Sequence, residues 1–190
     1  TLDSNSASGI LASQGGGAIF NHGGTLTIDG MTSLVTISNN SADGTAGSGG
    51  GIFSTAGTVS ITSANLTFND ANRAGGGIEV IDGTVALTNV NLINNDAGSA
   101  APAPGNGGGF HATGTANVMI SGGSVFGNVA SREGGGLWNS TGTMTVSNGT
   151  LIQGNTASGD AADDGGGGIF NNGGIVIVDG SLAPVMITSN

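Results

Sequence analysis

The feature that most constrains this chain is the alternation of two short motifs along its whole length. Three consecutive glycines begin at positions 15, 49, 75, 107, 134 and 166, each block being followed, at once or after one alanine, by a large apolar residue. Between these blocks, an aliphatic residue is followed three positions later by asparagine. The asparagines are Asn5, Asn40, Asn69, Asn95, Asn128, Asn155 and Asn190. Such repetition predicts one supersecondary unit stacked on copies of itself.

A short run of alternating residues follows each glycine block, as in "GTLTIDG" at 24–30 and "GTVSITS" at 57–63. Aligned, these runs form two columns that are apolar at every position: Leu26, Val59, Val85, Val118, Met144 and Val176, then Ile28, Ile61, Leu87, Ile120, Val146 and Val178. Period-two alternation rich in β-branched residues is typical of half-buried strands. We therefore predict an all-β fold, a parallel β-helix (solenoid) of about six coils with three short strands per coil.

The glycines and asparagines have separate roles in such a fold. Coils stack about 4.8 Å apart, so a corner that needs positive φ or close backbone approach calls for glycine in every coil. Asparagine tolerates the left-handed backbone and hydrogen-bonds its neighbours. We predict that the seven asparagines form a structural ladder at another corner. Residues 1–190 are then a single β-helix domain, a segment of or building block for a longer solenoid.

Composition excludes several classes of partner. Twelve carboxylates face two arginines and no lysine, which gives a net charge of −10. Nucleic acid and anionic membrane surfaces are therefore not expected partners, because both require clustered cations. Apolar runs stay below the roughly 18 residues of a membrane span, so we expect no membrane insertion of this segment. The absence of cysteine is compatible with the outside of a bacterial cell.

The two motifs resemble the repeats of polymorphic outer-membrane proteins, the chlamydial autotransporter adhesins with GG[A/L/V/I] and FxxN motifs. "GGAI" at 16–19 and "GGGI" at 49–52 match the first motif, whereas Leu, Ile or Val often stands where the second has Phe. The similarity spans all 190 residues and extends to the wider class of secreted bacterial, pectate-lyase-like β-helix proteins. It implies a right-handed β-helix in an extracellular or bacterial cell-surface protein with an adhesive or structural role.

Catalytic residues are not evident in the sequence. Sugar-cleaving enzymes need a positioned acid and base with charge stabilisation. The arginines, Arg73 and Arg132, share one position in alternate coils, and we expect them in exposed ion pairs, with Glu133 beside Arg132. His22 and His111 have no carboxylate neighbour in sequence, and we expect both at the surface. We predict that the chain is not an enzyme and needs no cofactor.

Two groups of residues are candidate ligand sites. Asp160, Asp163 and Asp164 lie in one loop, and calcium takes six to eight oxygen ligands, so this loop is a candidate calcium site. An outward row of threonines flanks the apolar columns and resembles the flat surfaces of ice-binding proteins. It comprises Thr25, Thr58, Thr84 and Thr143. Threonine is also simply a good residue for an exposed strand face.

The function predicted from the sequence is a structural or adhesive rod outside the cell. Long loops follow four of the asparagine steps, at 6–14, 41–48, 96–106 and 156–165, and should line one edge, the loop edge, where binding is common. Unpaired edges at the ends of a stack favour homotypic end-to-end contacts and a filament. A glycan or cell-surface ligand is a second expected partner. The alternatives are a carbohydrate-binding or polysaccharide-processing protein and an ice-binding protein.

Overall fold

The computed structural model describes residues 1–98 and 105–190. In this part of the chain the fold is all-β, without helices, and the strands form three sheets. The strand pairs run parallel. The described residues include no helix of the length and apolar character that a membrane span requires.

The strands are grouped here by sheet and numbered in chain order. The seven-strand sheet contains β1 (Leu2–Asp3), β3 (Val35–Ser38), β6 (Ala64–Thr67), β10 (Asn91–Ile93), β14 (Ser124–Phe126), β18 (Leu151–Gln153) and β22 (Met186–Thr188). The five-strand sheet contains β4 (Ser41–Ala42), β7 (Asp70–Ala71), β11 (Asp96–Ala97), β15 (Val129–Ala130) and β19 (Thr156–Ala157). The ten-strand sheet contains β2 (Ile19–Asp29), β5 (Ile52–Thr62), β8 (Ile78–Ile81), β9 (Thr84–Thr88), β12 (Phe110–Thr113), β13 (Asn117–Ser121), β16 (Leu137–Asn139), β17 (Thr143–Ser147), β20 (Ile169–Asn171) and β21 (Ile175–Asp179).

From β3 onward, the chain visits the three sheets in the same order on each complete pass. Strands β3, β4 and β5 make one pass, and β6, β7, β8 and β9 make the next. We call each pass a layer; the ten-strand sheet contains six of them. Equivalent residues pair between adjacent layers, as in Leu2 with Ile37 and Ile37 with Leu66. The repeat of the sequence is thus the repeat of the structure.

The core lies between the sheets. Both apolar columns predicted from the sequence pair in register, as in Val59 with Val85 and Ile61 with Leu87. In the middle layers these side chains are almost fully buried. They pack against aliphatic residues of the seven-strand sheet, including Leu66 and Leu92. At the last layer the column opens to solvent, and Val178 is 48% exposed.

Among the described residues, only the pass through β3, β4 and β5 has the expected three strands per coil. Strands β2 and β5 are continuous over 11 residues, whereas each later layer divides the corresponding segment into two strands. Between β8 and β9, Asp82 and Gly83 have φ angles of 59° and 87°. Two consecutive residues with positive φ turn the backbone out of the extended conformation, so the ladder is interrupted there.

Candidate functional site

The asparagines form a continuous ladder through the layers. Each Nδ2 donates to Oδ1 of the next asparagine at 2.7–2.9 Å, and the backbone N–H of the same residue donates to the same oxygen. From the second asparagine on, Nδ2 also donates to a carbonyl of the previous layer, as from Asn95 to Leu66. The five central members are at most 1% exposed. Their amide groups are therefore occupied within the fold, and the ladder serves as a structural element.

The threonine row lies on the outer face of the ten-strand sheet. Thr25, Thr58 and Thr84 pair in register and are exposed, Asn117 follows, and Thr143 is half-buried. The adjacent outward column becomes apolar toward the last layers, where Met119 is 54% and Ile177 45% exposed. Hydroxyl groups thus dominate the first layers of this face. Ice binding by the row stays a prediction.

The acidic loop is organised around Asp164. Its Oδ2 accepts a hydrogen bond from the backbone N–H of Ala161, and its Oδ1 lies 2.9 Å from Nη2 of Arg132. The Ala161 N–H and the Arg132 guanidinium together hold the pKa of Asp164 below its ordinary value despite partial burial. The described residues contain no group of three or more His, Cys, Asp or Glu side chains placed to hold a metal ion. Calcium binding stays a prediction from the loop composition, and Arg132 would compete with the ion for Asp164.

A second column, on the outer side of the ten-strand sheet and buried in the middle layers, is not evident from the sequence pattern. It consists of the residue that follows each apolar anchor: Phe20, Phe53, Glu79, His111, Trp138 and Phe170. The rings stack between layers, with centroids 5.3 Å apart for Phe20 and Phe53 and 4.1 Å apart for His111 and Trp138. Alternation correctly indicates that these residues point away from the core, but Phe53, Glu79 and His111 are at most 3% exposed.

The glycine blocks and the loops before them cover this column. The loops leave after the five-strand sheet and return at isolated bridges in register, such as Ser48 with Ala74 and Ala74 with Asn106. One glycine of each block then approaches the column closely; it is the first of the block in every layer but the first, where it is Gly16. A Cβ on Gly107 would lie 2.6 Å from Cβ of His111, and one on Gly134 would lie 2.9 Å from Cβ of Trp138. Glycine is needed there because a side chain has no space.

Glu79 is the charged member at the centre of this column. Its Oε1 accepts hydrogen bonds from Nη2 of Arg73 at 3.0 Å and from Oγ1 of Thr113 at 2.7 Å. Its Oε2 lies 2.5 Å from Nδ1 of His111. Burial acts to raise the pKa of Glu79, but its interactions with His111, Arg73 and Thr113 prevail and hold that pKa below the ordinary value.

A second carboxylate supports the neighbouring layer. Oε2 of Glu133 accepts hydrogen bonds from Nε1 of Trp138 at 2.9 Å and from Nδ2 of Asn106 at 3.1 Å. Trp138 stacks on His111, with 21° between the ring planes. The two carboxylates thus fix neighbouring rings of the column, and the loops provide Arg73 and Asn106 as their partners.

The sequence expectations for His111 and Arg73 are wrong, whereas Arg132 forms an exposed ion pair as expected. His111 is 3% exposed rather than at the surface, because the glycine block and the stacked Trp138 ring enclose it. Arg73 forms a largely buried ion pair with Glu79, since the loop folds back over the sheet, and its side chain is only 15% exposed. Arg132 pairs with Asp164 rather than with the adjacent Glu133.

The arrangement around Glu79 is that of a structural charge cluster. A carboxylate, an imidazole and a guanidinium lie in contact, but Glu79 and His111 are buried away from solvent. A reacting substrate would have to displace the glycine cover to reach them. The geometry therefore supports a role in fixing the layers and the loop edge relative to one another.

Comparison of the chain with protein-family models, curated proteins and solved structures gives no match.

Proposed function

We propose that residues 1–190 form a right-handed parallel β-helix of about six coils that serves as a structural or adhesive rod outside the cell or on a bacterial surface. The observation that carries this proposal is the asparagine ladder, which joins successive layers with two hydrogen bonds to each shared Oδ1 atom. A stack bonded in this way is stiff along its axis. Its sides remain free for contacts.

The loop edge is the proposed contact surface of the rod. Its loops differ in length and sequence while the strand segments repeat, and residues 99–104 of the loop 96–106 lie outside the described residues. Arg73 ties this edge to the ten-strand sheet through Glu79, and Glu133 does so through Nε1 of Trp138. Variable loops on a rigid scaffold are a common basis for recognition.

Homotypic contacts at the two ends are the second part of the proposal. The last asparagine, Asn190, provides the Oδ1 atom to which Asn155 donates, and its side chain lies at the open end of the ladder. At the opposite end, Asn5 occupies the first position and donates to Asn40. Because the ladder has a direction, the end of one copy matches the beginning of another in parallel orientation.

Strands β1 and β22 occupy equivalent positions at the two ends. The seven-strand sheet extends through β22 beyond the last layer of the ten-strand sheet, as it begins with β1 in the first. When two copies stack, β22 of one copy and β1 of the next would occupy the same position in the seven-strand sheet. Continuous stacking then requires β22 to replace β1, with Ile187 pairing with Ile37 in place of Leu2.

Sedimentation velocity over a hundredfold concentration range, with electron microscopy of the same samples, tests end-to-end association. We expect rods that lengthen with concentration. A variant lacking residues 1–5 should associate at lower concentration, because its β1 no longer competes with β22 of the neighbouring copy. Ile187→Lys, at a 47% exposed position of the end, should block association. Phe126→Lys, at a 43% exposed position on the side of the same sheet, is the matched control.

A monomer at every concentration, for both the intact chain and the shortened variant, would refute end-to-end association. Equal effects of the two lysine variants would also refute it, since contacts would then involve the sides. Circular dichroism of each variant checks that the fold is retained. The structure of the rods at side-chain resolution would test the handedness and the number of coils directly.

A further inference from the structure

A cleft of about 240 Å³ lies where the ten-strand sheet turns toward the seven-strand sheet in the last layers. It is separate from the loop edge and from the Glu79 column. Its lining consists of Met119, Ser121, Ser147, Asn148, Asp179, Ser181 and Leu182. Sites for drug-sized ligands usually measure about 300–1,000 Å³, so this cleft is suited to a single ring.

Oxygen-bearing side chains form the floor of the cleft. Ser121 pairs with Ser147, and Ser147 pairs with Asp179, so these three side chains form one outward column. Successive members are about 4.8 Å apart, the spacing between paired strands. Hydrogen bonds from the side chain and backbone of Ser181 keep the pKa of Asp179 below its ordinary value. Asp179 is therefore an ionised acceptor beside two hydroxyl groups.

Apolar side chains border the same cleft. Met119 is 54% exposed and Leu182 is 87% exposed, although most large apolar residues of the middle layers are buried. Leu182 lies in the turn between β21 and β22, which packs on the previous layer through the hydrogen bond from Gly149 N–H to the Ala183 carbonyl. Polar atoms and apolar surface thus meet at one concave site.

We propose that this cleft binds one ring of a neutral saccharide. Hydroxyl groups of a sugar donate to a carboxylate and exchange hydrogen bonds with serine and asparagine, and its C–H face packs on apolar side chains. An acidic sugar is disfavoured, because Asp179 is ionised and the chain carries a net charge of −10. This proposal does not depend on self-association of the rod.

The first layer contains a matched turn that serves as a control. Oδ1 of Asp179 accepts the N–H of Ser181 at 2.9 Å, and Oδ1 of Asp29 accepts the N–H of Met31 at 2.9 Å. Both aspartates end a strand of the same outward column and precede glycine. Asp29 does not line the cleft. Replacing Asp29 by asparagine therefore makes the same chemical change as at Asp179, but outside the cleft.

Methyl NMR of the ¹³C-methionine-labelled chain provides the test, since the chain has four methionines. Met119 borders the cleft, whereas Met31, which is 74% exposed, lies in the control turn. The probes are cellobiose, maltose and di-N-acetylchitobiose, with digalacturonate as the acidic comparison. We expect at least one neutral probe to shift the Met119 signal saturably while Met31 stays unchanged, and digalacturonate to bind at least about tenfold more weakly.

Two variants localise the effect. Asp179→Asn should weaken binding by at least about tenfold, because a hydrogen bond to a charged acceptor is lost, and Asp29→Asn should leave it unchanged. Leu182→Asn should also weaken binding, and at an exposed position it should preserve the fold. The proposal is overturned if no neutral probe shifts Met119 saturably, if Met31 shifts equally, or if the two aspartate variants behave alike.

Discussion

His111 and Glu79 lie in adjacent layers, with Nδ1 of the histidine 2.5 Å from Oε2 of the glutamate. Glu79 stands in a column whose other members are aromatic rings, and it is fully buried. A charge at such a position is costly unless its partners are held in place. The pair therefore links the packing of two layers to the placement of Arg73 in the loop edge.

Glu79→Gln should lower the free energy of unfolding by about 3–5 kcal/mol, because it leaves Arg73 buried without its counter-charge. The double change Glu79→Phe with Arg73→Leu should be less destabilising than Glu79→Gln, since a ring then continues the column and no guanidinium is left unpaired. Urea unfolding of both variants measures the difference. Equal destabilisation by the single and double changes would show that the charges themselves are not responsible.

Stability should fall in acid because of Glu79. Its folded pKa lies below the ordinary value of 4.5, so its ionised form contributes stability above that value, and this stability is lost as the pH falls through the folded pKa. Thermal unfolding between pH 2 and 8 measures the loss. The Tm of the Glu79→Phe, Arg73→Leu variant should fall less steeply as the pH is lowered. If Tm falls equally steeply in acid for the variant and the unchanged chain, other carboxylates cause the acid sensitivity.

Asp96→Asn should raise Tm at pH 7. Burial and the charge of Asp70, its partner in the next layer, raise the pKa of Asp96. Ionised Asp96 therefore opposes folding at neutral pH, and this cost disappears below its ordinary value of 3.8. The gain in Tm should accordingly vanish at pH 3. Asp160→Asn in the exposed acidic loop is the control, and an equal gain there would indicate a general charge effect.

Asn95→Ala should lower the free energy of unfolding by about 2–6 kcal/mol, because the backbone N–H and Nδ2 of Asn69 lose their shared acceptor in a buried site. Asn91→Ala, in the half-buried pair with Asn65, should cost about 1 kcal/mol. Urea unfolding compares them. Similar losses would mean that the ladder contributes no more than an ordinary surface hydrogen bond.

Phe68→Asn should stabilise the chain by about 1 kcal/mol. Phe68 has a φ of 55° and precedes a ladder asparagine, whereas Asn39 and Asn94 hold the equivalent left-handed positions. This conformation costs most residues about 1–2 kcal/mol and asparagine less. Phe126→Asn, at an exposed strand position, provides the comparison in thermal unfolding. A loss of stability on Phe68→Asn would reveal packing by the aromatic ring that outweighs the strain.

The sequence by itself determined the parallel, layered arrangement, the two inward columns and the asparagine ladder. These features repeat, so each layer has the same local preferences for strands and turns. The register between layers then follows from aligning the repeats. The predicted pairing of Val59 with Val85 and the bonding of Asn69 to Asn95 are examples. The glycine blocks likewise contain a residue with positive φ and a close backbone approach in every layer, as expected.

Only the tertiary structure decided what covers each face. Alternation shows that Glu79 and His111 point away from the core, but it cannot show that loops of unequal length fold back over them. Nor does local sequence reveal that Arg73 meets Glu79, or that Arg132 selects Asp164, 32 residues away, over Glu133 beside it. Such contacts depend on the path of non-repeating segments, because burial and charge pairing are set by neighbours distant in sequence.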